Sequence, residues 1–339
     1  MTQEVQEQAN SKPLLTIAIP TYNRARYLRE LLSVLFDQLI DEPRVELIVS
    51  DNASPDETPE LVEEFQMRGL RIRSIRNEMN IGADGNFLQC FERARGKYVW
   101  IFGDDDVIVP GGIAAILLHL QTKEYDLVYI DSFPLQDSSE PRYSNGSNVI
   151  EAEDAKLFVS RVHVFFTFIS GNIINKETVL RQEPGAFSAL LGSNLMQLGW
   201  TYTALNGYRR GLHIKDKLVG ARVNNTGGYK LLEVFGPTII KVTEEWLHSR
   251  HLRRIIYNGT LQRFWPGTLL QYKLLAKCFA QEASPNDVLA PVFRRNLRYW
   301  IFVYPIVRLP YGIAASWLLL DRAVNRIDRT FGFVLLRLG

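Results

Sequence analysis

The feature that most constrains this chain is an alternation, confined to its N-terminal third, of short apolar runs with longer segments whose apolar residues recur at helical spacing. Leu14 to Ile19 is one such run, closed by Pro20, and Val45 to Val49 is another, closed by Ser50-Asp51-Asn52. Between them, Tyr27 to Leu39 sets Leu28, Leu31, Leu32, Leu35 and Phe36 on one helical face. The unit then repeats: Thr58 to Gln66 reads as a helix, Arg71 to Arg76 as a strand, Ala83 to Ala94 as a helix, and Tyr98 to Phe102 as a strand ending in Gly103-Asp104-Asp105-Asp106. Continuous apolar strands alternating with amphipathic helices predict an α/β fold with a doubly wound, mostly parallel, Rossmann-like sheet. In such a sheet, ligands bind outside the carboxyl ends of the strands. Thr21-Tyr22-Asn23, Asp51-Asn52 and Asp104 to Asp106 each follow a strand directly, so three polar strand ends are expected to face one crevice.

The triple aspartate is the strongest chemical signal. Like charges this close repel, and a hard divalent cation relieves them, taking one or two carboxylates and completing its shell with water and substrate phosphates. Mn2+ or Mg2+ on Asp104, Asp105 and Asp106 is therefore expected, although an acidic turn or a helix N-terminus also suits these residues. Asp51 is placed to accept hydrogen bonds from a base or ribose, and Tyr22 offers a ring for stacking; a plain capped turn is the other reading of Ser50 to Ser54. Asn80 to Asn86 puts Gly82 before a helix, as phosphate-cradling loops do. It lacks both the P-loop lysine and the glycine spacing of a dinucleotide fingerprint, which argues against an ATPase and a dehydrogenase.

Together these segments resemble glycosyltransferase family 2, the inverting enzymes of the GT-A fold. Thr16 to Arg24 is similar to that family's first strand and loop, Val45 to Ser54 to its second, Arg76 to Gly82 to the lead into its third helix, and Lys97 to Pro110 to its metal-motif strand. The likeness is strongest to abequosyltransferase-like members, which build bacterial O-antigen, a part of lipopolysaccharide. It implies that Pro20, Thr21, Tyr22, Asn23 and Asp51 hold the nucleotide, that Asp84 and Asn86 line the same pocket, and that Asp104 and Asp105 face ribose and metal with Asp106 completing the cluster. It further implies a nucleotide diphosphate sugar donor, with a dideoxyhexose such as abequose as one choice, and a polyprenyl-diphosphate-linked oligosaccharide acceptor. Two departures stand out. Gly103 occupies the place of the first aspartate in the family's usual Asp-x-Asp spelling. The stretch Leu191 to Leu195 lacks the Glu-Asp pair that many members carry, so Asp131 and Glu183 are the acids expected to serve as catalytic base. A chain with this fold and no base would instead be a non-catalytic sugar-nucleotide-binding or scaffold protein.

Beyond the first 130 residues the text is less regular. Asp131 to Glu153 reads as a long surface loop, Val162 to Ile169 as an apolar strand leading to Ser170-Gly171-Asn172, Phe187 to Leu198 as helical, and Asn224 to Tyr229 as a Gly-rich lid. The expected organisation is a disordered tail at 1–12, a nucleotide-sugar-binding α/β domain at 13–130, an acceptor-binding part at 131–235 and a helical appendage at 236–339. A net charge of +2 gives no reason to expect nucleic acid, but from His251 onward Arg and Lys outnumber Asp and Glu. Arg294 to Arg337 interleaves arginines with Trp300, Phe302, Tyr304, Tyr311 and Trp317, a composition suited either to a membrane interface or to packing on the core. Its apolar part, Tyr299 to Leu320, is broken by Pro305, Arg308 and Pro310 and does not read as a membrane span. The polar start, and the absence of a paired spacing between Cys90 and Cys278, fit a cytoplasmic protein, and the lipid-linked acceptor that the resemblance implies puts it peripherally on the inner face of the plasma membrane.

Overall fold

The computed structural model describes residues 12–135, 145–182, 186–222, 229–274 and 283–319. It divides into two compact units, one formed by the residues up to Tyr229 with Val242–Leu252, the other by Lys230–Lys241 with the residues from Arg253 onward.

The first unit is built on a nine-stranded sheet. β1 (Leu15–Thr21) is buried at every position, because parallel neighbours flank it and helices cover both its faces. β2 (Val45–Asp51) and β4 (Tyr98–Ile101) pair with it in parallel, and β3 (Ile72–Arg76) extends the parallel half beside β2. The crossover helix α1 (Ala25–Leu39) buries Leu28, Leu31, Leu32, Leu35 and Leu39, the stripe expected from its spacing. Helices α2 (Thr58–Met67) and α3 (Gly82–Arg93) make the next two crossovers. The register sets Thr21 level with Asp51 and Ala18 level with Ile101, so the loops after β1, β2 and β4 leave the sheet at one edge.

The other half of the sheet is mixed, which the alternation could not disclose. β5 (Val107–Ile108) and α4 (Gly112–Thr122) lead to β6 (Leu127–Leu135), β7 (Val149–Ala152), α5 (Ala155–Val162), β8 (Asn172–Asn175), α6 (Lys176–Arg181), α7 (Met196–Asn206) and β9 (Gly211–Arg222). The strand order is β3-β2-β1-β4-β8-β6-β9-β5, with β7 against β9. β8 runs antiparallel between β4 and β6, and therefore starts at the edge where β4 ends. That direction carries Ser170 and Gly171 to the strand-end loops: the Trp100 indole N–H donates to the Ser170 carbonyl at 2.9 Å, and the Gly103 N–H to Ser170 Oγ at 2.9 Å.

Two local expectations give way to tertiary pairing. Val162 to Ile169 is not a strand: Val162 ends α5, and two 3-10 turns follow, His163–Thr167 and Ile169–Gly171, joined by Phe168; the carbonyls of Phe166 and Phe168 accept from the Asn172 side-chain amide. The supposed loop from Asp131 instead continues β6 to Leu135, since Phe133 packs inward over Gly220, where a Cβ would come within 2.9 Å of its ring. A register shift between Ile130 and Ser132 leaves Asp131 at an irregularity in the β6–β9 ladder.

The second unit is helical and packs around Leu261, Trp265, Leu269, Leu289, Phe293, Tyr299, Phe302 and Ile306, all buried. Its helices are interrupted by π-turns at Val234–Thr238, Thr260–Phe264 and Tyr299–Val303. Pro237 lies inside the first, and Pro266 and Pro305 follow the other two closely; a proline lacks the N–H that an α-helical register needs, and a wider turn absorbs the loss. Among the described residues no helix is long and apolar enough to cross a membrane.

Candidate active site

The loops at the common strand edge enclose a cleft of about 440 Å3, lined by Pro20, Thr21, Tyr22 and Arg24 after β1, Asn52 after β2, Asp84 and Asn86 on α3, Gly103 to Asp106 after β4, Phe168 and Ile169 before β8, Asn194 before α7, and Tyr229. Each of the three strand-end clusters contributes to it, through Thr21 and Tyr22, through Asn52, and through Asp104 to Asp106; Asn23 and Asp51 are not among the lining residues.

The nucleotide side is cross-tied by side chains. Asn23 takes a left-handed backbone (φ 55), which asparagine tolerates, and its N–H donates to Ser54 Oγ at 2.9 Å. The Ser54 N–H in turn donates to Asp51 Oδ1 at 2.9 Å. Asp51 is buried. Its Oδ2 accepts no hydrogen bond and has Arg76 Nε 3.5 Å away, so one acceptor stays poorly satisfied at the end of β2. Asn52 Oδ1 accepts from the Asn77 side chain and the Ile81 N–H, and its amide group donates to Asn80 Oδ1 and to the Gly82 carbonyl, so it fixes the loop entering α3. Asn86 is buried in a reciprocal pair with Ser50, donating to its carbonyl at 2.9 Å and accepting from its hydroxyl at 2.6 Å. Tyr22, by contrast, leaves 44% of its surface exposed, a ring open to stacking.

The three acids after β4 have separate environments. Asp104 is buried, Oδ2 accepting from Thr21 Oγ1 at 2.8 Å and Oδ1 from Arg24 Nη1 at 3.1 Å. Burial, helped by repulsion from Asp105 and opposed by Arg24 and Thr21, pushes its pKa up to about 6. Asp106 is buried too, but is turned into the fold: Oδ2 accepts from Ser170 Oγ at 2.5 Å and Oδ1 from the Arg222 N–H at 3.0 Å. Burial is again the main cause of its rise to about 7, with Asp105 and Asp104 adding to it. Asp105 is the most open of the three, and Arg24 Nη1 lies 3.5 Å from its Oδ2.

This donor set decides how a metal fits. Among the described residues no three acidic, histidine or cysteine side chains are arranged to enclose an ion. The expected three-carboxylate grip is thus not what the geometry offers, because Asp106 spends both oxygens on Ser170 and Arg222. A hard cation taking Asp105, joined by Asp104 Oδ1 once the ion displaces Arg24 from it, and otherwise phosphate oxygens and water does fit.

Of the two expected bases, Asp131 is not among the cleft-lining residues; its Oδ1 lies 2.8 Å from His213 Nε2. Glu183 lies outside the described residues, as does the lid expected at Asn224 to Tyr229 except for Tyr229 itself, which lines the cleft. Arg24 is the main residue to which the sequence reading gave no role. The signal for it is a cation three residues after a strand end, facing an acidic strand end in the same fold.

The family model for glycosyl transferase family 2 matches residues 16–182, which takes in β1 to β8 and every strand-end loop of the cleft. These residues form a glycosyl transferase family 2 domain. Abequosyltransferase RfbV of Salmonella typhimurium is 38% identical over 111 residues, 32% of this chain and 33% of that one. A Campylobacter jejuni GalNAc(5)-diNAcBac-PP-undecaprenol beta-1,3-glucosyltransferase is 30% identical over 106 residues, 31% and 34% of the two chains. The chain thus matches about a third of the length of each of these relatives. Staphylococcus aureus TarS 1–349, solved in complex with UDP, superposes with a TM-score of 0.60 at 18% identity over 96% of this chain and 94% of that one. The fold is that of the GT-A glycosyltransferases, with a mixed sheet and a helical C-terminal region.

Proposed function

We propose that this protein is an inverting glycosyltransferase that moves a sugar from a nucleoside diphosphate donor to a lipid-linked saccharide in bacterial O-antigen or surface polysaccharide synthesis. The observation that carries the reading is the meeting of Tyr22, Arg24, Asp104 and Asp105 in one cleft of a family 2 domain. Tyr22 would stack on the base, and the β2 end at Asp51 would meet the base or ribose. Arg24 is placed to turn from its carboxylates to the donor diphosphate, where a guanidinium binds phosphate oxygens well. A divalent cation such as Mn2+ or Mg2+, held by Asp105 and Asp104, would neutralise charge on the departing diphosphate. Phe168, Ile169 and Asn194 also line the cleft and would border the acceptor.

The similarity to RfbV supports a dideoxyhexose donor, and the Campylobacter relative, whose name specifies an undecaprenyl diphosphate carrier, supports a lipid-linked acceptor. The exposed aromatic residues of the second unit support peripheral attachment to the inner face of the plasma membrane. Of the bases expected from the sequence, Asp131 pairs with His213 and is not among the cleft-lining residues, and Glu183 lies outside the described residues. A second reading, a non-catalytic sugar-nucleotide-binding or scaffold protein, is favoured by one observation: the turn before α7 has no acidic side chain.

Thermal shift against UDP, CDP, GDP and TDP, each with Mn2+, tests the donor half of the proposal. A ligand at a hundred times its Kd adds about 2.7 kcal/mol of stability, so one nucleotide should raise Tm clearly above the others. Uniform failure of all four would remove the nucleotide site. Release of nucleoside diphosphate from the matching sugar donor then separates an enzyme from a binding protein.

A further inference from the structure

Apart from the three acids after β4, the cleft is lined by one carboxylate, Asp84; no glutamate, histidine, lysine or cysteine side chain lines it among the described residues. Asp104 and Asp106 have both oxygens engaged, and Asp105 lies with Asp104 beside Arg24, at the diphosphate end of the proposed site. Asp84 stands in the first turn of α3, buried, and reaches across to the turn that begins α7. Its Oδ2 accepts from the Asn194 N–H at 2.9 Å, and the amides of Gly192, Ser193 and Met196 also point toward it. Asn194 itself lines the cleft and holds a left-handed backbone (φ 56), and its side-chain amide has no useful basicity. The helix start on the acceptor side therefore contributes no acid of its own, and its backbone grips one borrowed from α3.

We infer that Asp84 is the general base of the transfer. This rests on the proposed function above. In the step, the acceptor hydroxyl gives its proton to the Asp84 carboxylate as its oxygen bonds to the anomeric carbon. The bond from that carbon to the diphosphate oxygen breaks, and its electron pair leaves with the nucleoside diphosphate. Burial raises the proton affinity of Asp84 above that of an ordinary carboxylate, and the surrounding amides only partly offset this, a direction that suits a base. The Asn194 contact fixes the carboxylate relative to the acceptor side of the cleft, which a surface acid would lack.

Asp84→Asn tests this, because an amide oxygen still accepts from the Asn194 N–H while its basicity is gone. The wild type and Asp84→Asn are compared for nucleoside diphosphate binding with Mn2+, for nucleoside diphosphate release from a panel of UDP-, CDP-, GDP- and TDP-sugars, and for the same release with added azide. Azide attacks the anomeric carbon without needing deprotonation. The expected result is a Kd within about threefold of wild type, turnover lower by about 10²–10⁴-fold, and recovery with azide as a glycosyl azide forms. Turnover retained within tenfold overturns the inference alone, as does loss of turnover that azide does not restore, which would make Asp84 a positioning residue. A wild type that neither binds nor cleaves any member of the panel overturns the proposed function and this inference with it.

Discussion

Arg24 Nη1 lies 3.1 Å from Asp104 Oδ1 and 3.5 Å from Asp105 Oδ2, so one guanidinium answers two strand-end carboxylates. A divalent cation at the same acids would compete with it for the same oxygens. Arg24→Gln should lower the stability of the metal-free protein by about 1–3 kcal/mol, the range for losing a charged hydrogen-bond partner from a buried acid. It should also enlarge the Tm gain on adding Mn2+ without nucleotide, since the ion no longer displaces a resident cation. Calorimetric titration of Mn2+ into both proteins checks this: equal or weaker binding by Arg24→Gln would show that the arginine and the ion use different oxygens.

Asp105 and Asp106 should separate cleanly although they are neighbours. Asp105 is the more open, and its replacement by alanine should leave Tm within a few degrees while cutting metal-supported donor cleavage by at least about 10²-fold, as loss of one electrostatic contact to a developing charge does. Asp106 anchors Ser170 and the Arg222 backbone, so Asp106→Ala leaves those donors unpaired and should cost about 2–4 kcal/mol. Chemical denaturation of both variants, paired with nucleoside diphosphate release, distinguishes the two roles. If Asp105→Ala proves the unstable one, the assignment of roles is reversed.

The same acids set a pH dependence. Asp104 and Asp106 are raised to about 6 and about 7, so the folded protein holds protons that the unfolded chain, with carboxylates near pKa ~3.9, has already released. Their contribution is fully present below about pH 4 and is lost as pH rises through 6 and 7. Glu42, Asp56, Glu124, Glu151 and Glu177 are shifted the other way by their hydrogen bonds, and for Glu42, Glu124, Glu151 and Glu177 also by their cationic partners. Their support is present above the unfolded value and lost on acidification, so it sets the acid limb. Tm of the metal-free protein should therefore peak near pH 5 and fall toward pH 7.5, and Ser170→Ala, which removes a donor from Asp106, should steepen the fall. A Tm that is flat or rising between pH 5 and 7.5 would contradict these environments.

The parallel half of the sheet was legible because its signals are local: Leu28 to Leu35 mark one helix face, and Ser50-Asp51-Asn52 punctuates one strand. The strand-end rule then brought the loops of Tyr22, Asn52 and Asp104 to one cleft without any contact being known. β8 was not legible, since Asn172 to Asn175 is too short to show a period, and its antiparallel direction depends on which edge the chain returns to. The orientation of Asp106 was hidden for a similar reason. It is decided by Ser170 and Arg222, 64 and 116 residues away in the chain. Asp84 was assigned to the pocket through family likeness alone, and its bond to the Asn194 amide, 110 residues distant, carries no sequence signal at all.

The second unit exposes Leu297, Trp300, Tyr311, Ile313, Trp317 and Leu319, large apolar side chains that a water-facing surface rarely gathers within so short a stretch. Arg294, Arg295 and Arg298 lie in the same stretch, and basic residues near an anionic bilayer add about 1 kcal/mol each. The two indoles retain hydrogen bonds to backbone carbonyls, Trp300 to Arg294 and Trp317 to Ile301, which leaves the ring bodies for burial at headgroup depth. Purified protein should therefore co-sediment with vesicles containing phosphatidylglycerol more than with neutral phosphatidylcholine, and less as salt is raised. Replacing Trp300 and Trp317 together by alanine should weaken binding to both kinds of vesicle. Replacing Arg294, Arg295 and Arg298 by glutamine should weaken binding to the anionic vesicles by about 10²-fold, as about 3 kcal/mol predicts, and leave neutral binding unchanged. Vesicle binding that ignores both sets of changes would place the membrane contact elsewhere, and no binding at any lipid composition would assign these side chains to a protein partner.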